Sequence, residues 1–157
     1  MTLLIQNFFF FFWLILPLFG YPFSDNGDGS VTDTGTGLVW QKCSRGQNAD
    51  STCTGTATKT TWSLALLHCK NLSLGQRTWK LPNINEMRSL VNPANTDTSA
   101  LPFIDPTGFP STARDKYWSS STVFGSPSIV YFVNFFDGSQ DTQNKVTAAF
   151  VRCVSGP

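Results

Sequence analysis

Cys43, Cys53, Cys69 and Cys153 are the four cysteines of a 157-residue chain, and they constrain it more than any other feature. An even count in an exported chain implies a disulfide framework, and four cysteines allow three pairings. Cys43 and Cys53 bracket a short polar loop, "SRGQNADST", whereas Cys69 and Cys153 lie far apart. The expected pairs are therefore Cys43–Cys53 and Cys69–Cys153. A bridge across the longer span stabilises by roughly 4 to 5 kcal/mol on chain-entropy grounds. Zinc is the rival reading, but there is no C-x-x-C pair and the single histidine, His68, sits beside Cys69, which is poor metal-ligand spacing.

The export assumption rests on residues 1–20, "MTLLIQNFFFFFWLILPLFG". They carry no charged side chain, and the apolar run from Phe8 to Phe19 is shorter than the roughly 20 residues of a membrane span. The run suits the apolar core of a secretory signal, with cleavage after Gly20, or else an uncleaved N-terminal anchor. Residues 21–157 then form one domain, long enough for a single sizeable core. Membrane association is expected only through an uncleaved leader. The location is secreted, periplasmic or at a bacterial cell surface.

Turn and periodicity signals organise the rest. "YPFSDNGDGSVTDTGTGLVWQKC" alternates short apolar groups with Asp, Asn and Gly, which predicts a hairpin followed by another strand. Residues 44–60 read as a loop pinned by the small disulfide. In "TTWSLALLHCKNL", Trp62, Ala65, Leu66, Cys69 and Leu72 recur at helical spacing behind Thr61 as N-cap, with His68 off the stripe. A second helix follows Pro82, where Asn83 and Glu86 have capping-box spacing and Ile84, Met87, Leu90 and Val91 form the inner face. The stretch from Asn92 to Lys116 holds four of the nine prolines and reads as an irregular excursion. Three strands are predicted after it, "YWSSSTV", "SIVYFVNFF" and "KVTAAFVRCV", the last two joined through "DGSQDTQN". Strands, then two helices, then strands, give an α+β class.

The segment "DNGDGSVTD" poses a specific question. Read as an EF-hand-type calcium loop with Gly29 at position 6, it places Ser24, Asn26 and Asp28 at positions 1, 3 and 5 and Gly35 at 12, so the first ligand is weak and the bidentate glutamate absent, and Asp25, Asn26 and Asp28 are only a weak calcium set. Read as a tight turn, the Asp-Gly pairs supply positive φ and Val31 points inward. The turn reading is preferred.

Taken in order, "DNGDGSVTDTGTGLVW", "TWSLALLHC", "LPNINEMRSLV", "YWSSST", "YFVNFFDG" and "FVRCV" resemble the Lcl C-terminal domain family, from about Phe23 to Val154. That family takes its name from the Legionella collagen-like protein. The resemblance implies a C-type-lectin-like fold, similar in outline to that of sulfatase-modifying factors: two helices packed on short antiparallel sheets with long loops. In that fold a cysteine of the first helix bonds one in the final strand, here Cys69 and Cys153. It also implies a secreted or surface-exposed bacterial domain, and in the namesake the domain is associated with sulfated glycans and host attachment. No collagen-type repeat is present in this chain.

Net charge is +1 and charged residues are 13% of the chain, which gives no electrostatic reason to expect nucleic acid. The sugar- and calcium-holding motifs of many lectins of this fold, Glu-Pro-Asn with Trp-Asn-Asp, are replaced by Leu81-Pro82-Asn83, so calcium-dependent sugar binding is not expected. A metal-free anionic-glycan site is. Arg77, Lys80, Arg88, Arg114 and Lys116 are its candidate cations, and Tyr117 a candidate stacking ring, while Trp62, Trp79 and Trp118 are expected in the core. There is no G-x-S-x-G elbow, and Glu86 is the single glutamate, so neither an enzyme nor a cofactor is expected. The expected function is recognition of a glycan or of a host or envelope surface protein in adhesion. The alternative is a structural, envelope-assembly domain without a soluble ligand.

Overall fold

The computed structural model of the protein describes residues 22–92 and 102–156. The expected leader at 1–20, and residues 93–101 of the proline-rich excursion, lie outside the described residues. Within them the architecture is α+β, as the order of signals predicted. Strands β1 (Phe23–Asp25), β2 (Ser30–Asp33) and β3 (Val39–Gln41) precede helices α1 (Trp62–Lys70) and α2 (Ile84–Ser89). Strands β4 (Lys116–Val123), β5 (Ser126–Asn134), β6 (Gln140–Asn144) and β7 (Val154–Ser155) follow. They build two antiparallel sheets, ordered β1-β2-β3-β7 and β4-β5-β6.

The "DNGDG" segment is the β1–β2 turn. Gly27 and Gly29 take φ of 75° and 86°, a region that costs glycine little and other residues more. The hairpin pairs Phe23 with Asp33 and Asp25 with Val31, and Val31 is fully buried. The turn's oxygens are used by the protein itself. Asp25 accepts from the Gly27 amide at 2.9 Å and from Lys42 Nζ at 2.6 Å. Asp28 accepts from the Ser30 amide at 3.0 Å, and Asn26 Oδ1 from the Thr32 hydroxyl at 2.9 Å.

Both predicted helices form. The α2 capping box is complete: the Glu86 amide donates to Asn83 Oδ1 at 2.9 Å and the Asn83 amide to Glu86 Oε2 at 2.8 Å. At α1, Thr61 has the extended cap backbone but makes no side-chain cap bond. The Trp62 amide donates instead to the Lys145 carbonyl at 3.1 Å, so a tertiary partner satisfies a group that a cap would otherwise serve.

The last predicted strand needs correction. The supposed connection "DGSQDTQN" contains β6, which pairs with β5 from Ile129↔Asn144 to Val133↔Gln140. "KVTAAFVRCV" is mostly irregular, reaching a strand only at Val154. β6 is an edge strand with no buried residue, so it carries none of the apolar alternation that marks a half-buried strand. Residues 149–153 run between the sheets, and their backbone is paired with several loops. Ala149 exchanges bonds with Thr60, Phe150 donates to Lys116, and the Val151 and Cys153 carbonyls accept from Arg45 and Gln41.

Successive side chains of a strand point to opposite faces, and here both faces are covered. Trp40, Tyr117, Val133 and Val154 enter one core with Met87, Leu90, Ile104 and Phe109. Their neighbours Val39, Trp118 and Cys153 enter a second, with Ala65, Cys69, Trp79 and Val151. Both expected disulfides are present, Cys43–Cys53 and Cys69–Cys153. The second ties α1 to the segment entering β7, inside the second core.

Candidate functional site

Antiparallel pairing of β4 with β5 aligns Lys116 with Asn134, and the Phe135 amide donates to the Asp115 carbonyl at 3.0 Å. The segment Arg114–Lys116 therefore runs beside 134–136. The Arg114 guanidinium lies 4.8 Å from the Phe136 ring centroid, and the Lys116 ammonium lies 4.7 Å from that of Phe132. Both distances are within cation–π range. Lys59, from the distant 44–60 loop, closes the group by donating to Asp115 Oδ2 at 2.6 Å, its ammonium 5.2 Å from the Phe150 ring.

Two lysines thus flank one carboxylate. Burial pushes the Asp115 carboxyl up, but the Lys59 hydrogen bond, the Lys116 amide and both lysine charges outweigh it and hold Asp115 below its usual range. Phe136 is half-exposed (53%) and offers a ring face beside it. The adjacent Asp137 is turned away to the amide and hydroxyl of Ser139. Lysine ammoniums beside a half-exposed aromatic ring can hold an anionic group and cover an apolar sugar face.

The other predicted residues divide. Tyr117 is fully buried, which removes it as a stacking surface. Its ring packs edge-on to Phe135 with centroids 5.1 Å apart, and its hydroxyl shares a 2.7 Å hydrogen bond with Ser44 Oγ. Its position in β4 sends its side chain inward, opposite in sense to Lys116. Lys80 donates to Glu86 Oε1 at 2.7 Å, so its charge is largely met. Arg77 and Arg88 are exposed, one in the loop after α1 and the other in the last turn of α2. Trp79 and Trp118 are core residues as expected, while Trp62 is half-buried, with Lys145 Nζ 4.1 Å from its ring. Lys59 and Phe136 escaped the sequence reading. Lys59 lies 56 residues from its partner, and nothing local marks it.

The family model described as Lcl C-terminal domain matches residues 29–155. The chain belongs to the Lcl C-terminal domain family. No curated protein and no solved structure gives a match. Membership in the Lcl C-terminal domain family, together with two disulfides, suggests an extracellular or surface setting, since such bridges persist in oxidising compartments. Among the described residues no helix is long and apolar enough to cross a membrane.

Proposed function

We propose that this Lcl C-terminal domain is a non-catalytic binding domain of C-type-lectin-like build that recognises anionic glycans, sulfated ones included, in adhesion at a surface. Lys59, Arg114, Lys116 and Phe136 form its binding edge. The observation that carries this reading is the convergence of three cations and a half-exposed aromatic ring at one end of the β4–β5 pair. The test is retention of the disulfide-intact protein on heparin and on an uncharged dextran across a salt series, with calcium and with EDTA. Retention on heparin alone, falling with salt and indifferent to EDTA, is expected, and Arg114→Glu with Lys116→Glu should abolish it. Retention unchanged in that double variant would overturn the site, and loss in EDTA would return attention to Asp25, Asn26 and Asp28.

A structural or assembly role is supported by a different surface. At the other end of the same strands, Phe124 in the β4–β5 turn and Val146 beyond β6 are 103% and 77% exposed, two apolar side chains that an assembly partner would cover. A photo-crosslinker at position 124 in intact cells would form a discrete protein adduct on this reading, and none if the edge cluster is the sole contact.

A further inference from the structure

On the far side of α1, two adjoining cavities of about 410 and 260 Å³ form a cleft between the helix and the Cys43–Cys53 loop. They share Arg45, His68, Leu72 and Ser73. The larger volume falls in the range of about 300–1,000 Å³ usual for small-molecule sites. Leu64, Leu67 and Leu72 line the outer cavity, while Leu74, Ala49 and the disulfide sulfur of Cys43 extend the apolar wall inward. Leu64 and Leu67 are each about half-exposed (52% and 51%), an uncovered aliphatic surface at the mouth.

The polar inventory is selective. No aspartate or glutamate lines either cavity. Gln41 and Gln47, which face the inner cavity, are engaged by the protein: Gln41 Oε1 accepts from the Cys153 amide, and Gln47 bonds Ser44, Cys53 and Ser111. Arg45 donates to the Thr58 hydroxyl at 2.6 Å, and no carboxylate pairs with it among the described residues. His68 Nε2 is buried with no hydrogen-bond partner among the described residues. The cleft therefore combines aliphatic walls with one cation lacking a counter-charge and one unused imidazole nitrogen. Among the described residues it lacks the aromatic faces that suit a sugar.

We infer that this cleft binds an aliphatic monocarboxylate, its carboxylate on Arg45 and its hydrocarbon chain along Leu64, Leu67 and Leu72. Leucine walls bury the chain, and an arginine fork matches a carboxylate in geometry and charge. This site is independent of the edge built by Lys59, Arg114 and Lys116.

The test is titration of the full chain, disulfides intact, with sodium decanoate below its micellar range, followed by amide NMR shifts and calorimetry. Decanol and acetate serve as the chain-only and carboxylate-only controls. Saturable shifts at Arg45, Leu64, Leu67 and His68 are expected, with decanoate binding at least about tenfold more tightly than either control. Arg45→Gln should remove the preference for decanoate over decanol. Because Arg45 also holds Thr58, Leu67→Asp provides a second variant at an exposed position; it should weaken decanoate about tenfold or more without disturbing the fold. Equal affinity for decanol and decanoate, shifts confined to other surfaces, or no saturable binding would each overturn the inference.

Discussion

Two arginines in this protein lie over phenylalanine rings at nearly the same distance, Arg152 at 4.6 Å from Phe109 and Arg114 at 4.8 Å from Phe136. Their surroundings differ completely. Arg152 has no exposed surface, and one of its amino groups donates to Ser44 Oγ at 3.1 Å and Thr112 Oγ1 at 3.0 Å. Its Nε and other amino group find no hydrogen-bond partner. Burial lowers its pKa to about 10, with Tyr117 acting weakly the other way, so it remains charged at neutral pH. Arg114 sits at a half-exposed edge beside Lys116 and Lys59. The comparison separates ring geometry from role: in the interior the guanidinium fastens the Ser44 and Thr112 loops to the segment before β7, while at the edge it lies over Phe136 and is only partly buried.

The first way to break this contrast is to free the segment that carries Arg152. Replacing Cys69 and Cys153 together by alanine opens a bridge spanning 84 residues and should cost roughly 4 to 5 kcal/mol, read as a lowered denaturation midpoint. Next, Arg152→Ala should cost about 3 kcal/mol, because it leaves a cavity and strands two hydroxyls. Arg152→Met, which fills the space and removes the unpartnered donors, should recover at least about 1 kcal/mol of that. If Arg152→Ala is as stable as the parent in chemical denaturation, the fastening role fails. By contrast Arg114→Ala should cost less than about 1 kcal/mol, the scale of an exposed cation–π pair, while heparin retention drops.

The smallest effect concerns His68. Burial, then the charge of Arg45, lowers its pKa below the ordinary 6.5. The unfolded chain therefore binds the proton more readily, so stability is full above about pH 6.5 and declines as pH falls toward the folded value. His68→Gln should flatten this slope in denaturation midpoints measured between about pH 5.5 and 7.5 (about one unit either side of the unperturbed value). An unchanged slope would mean that other groups set it.

Local signals were legible where a few neighbouring residues satisfy one another. The Asp25–Ser30 turn, the Asn83–Glu86 capping box and the helical stripe of Ala65 and Cys69 all formed as their spacing predicts. The strand β6 was hidden because an edge strand needs only backbone partners, which leave no apolar pattern. Arg114, Lys116 and Tyr117 were singled out together, and Tyr117 was not separable from its neighbours by type. Tyr117 belongs to the core because its face of β4 is covered by Phe135 and Phe150, whereas Lys116, on the other face, stands where the strand begins.

By itself, the sequence determined the β1–β2 turn, the α2 capping box, the α+β order, the family and the even cysteine framework, since each depends on residues near one another or on sulfur chemistry that tolerates few alternatives. Tertiary structure alone decided which cations are sealed in and which are presented. Lys59 reaches Asp115 across 56 residues, and Arg152 reaches Ser44 across 108. The energy of a charge depends on the dielectric and partners around it, and those are supplied by segments that meet only when the chain is folded.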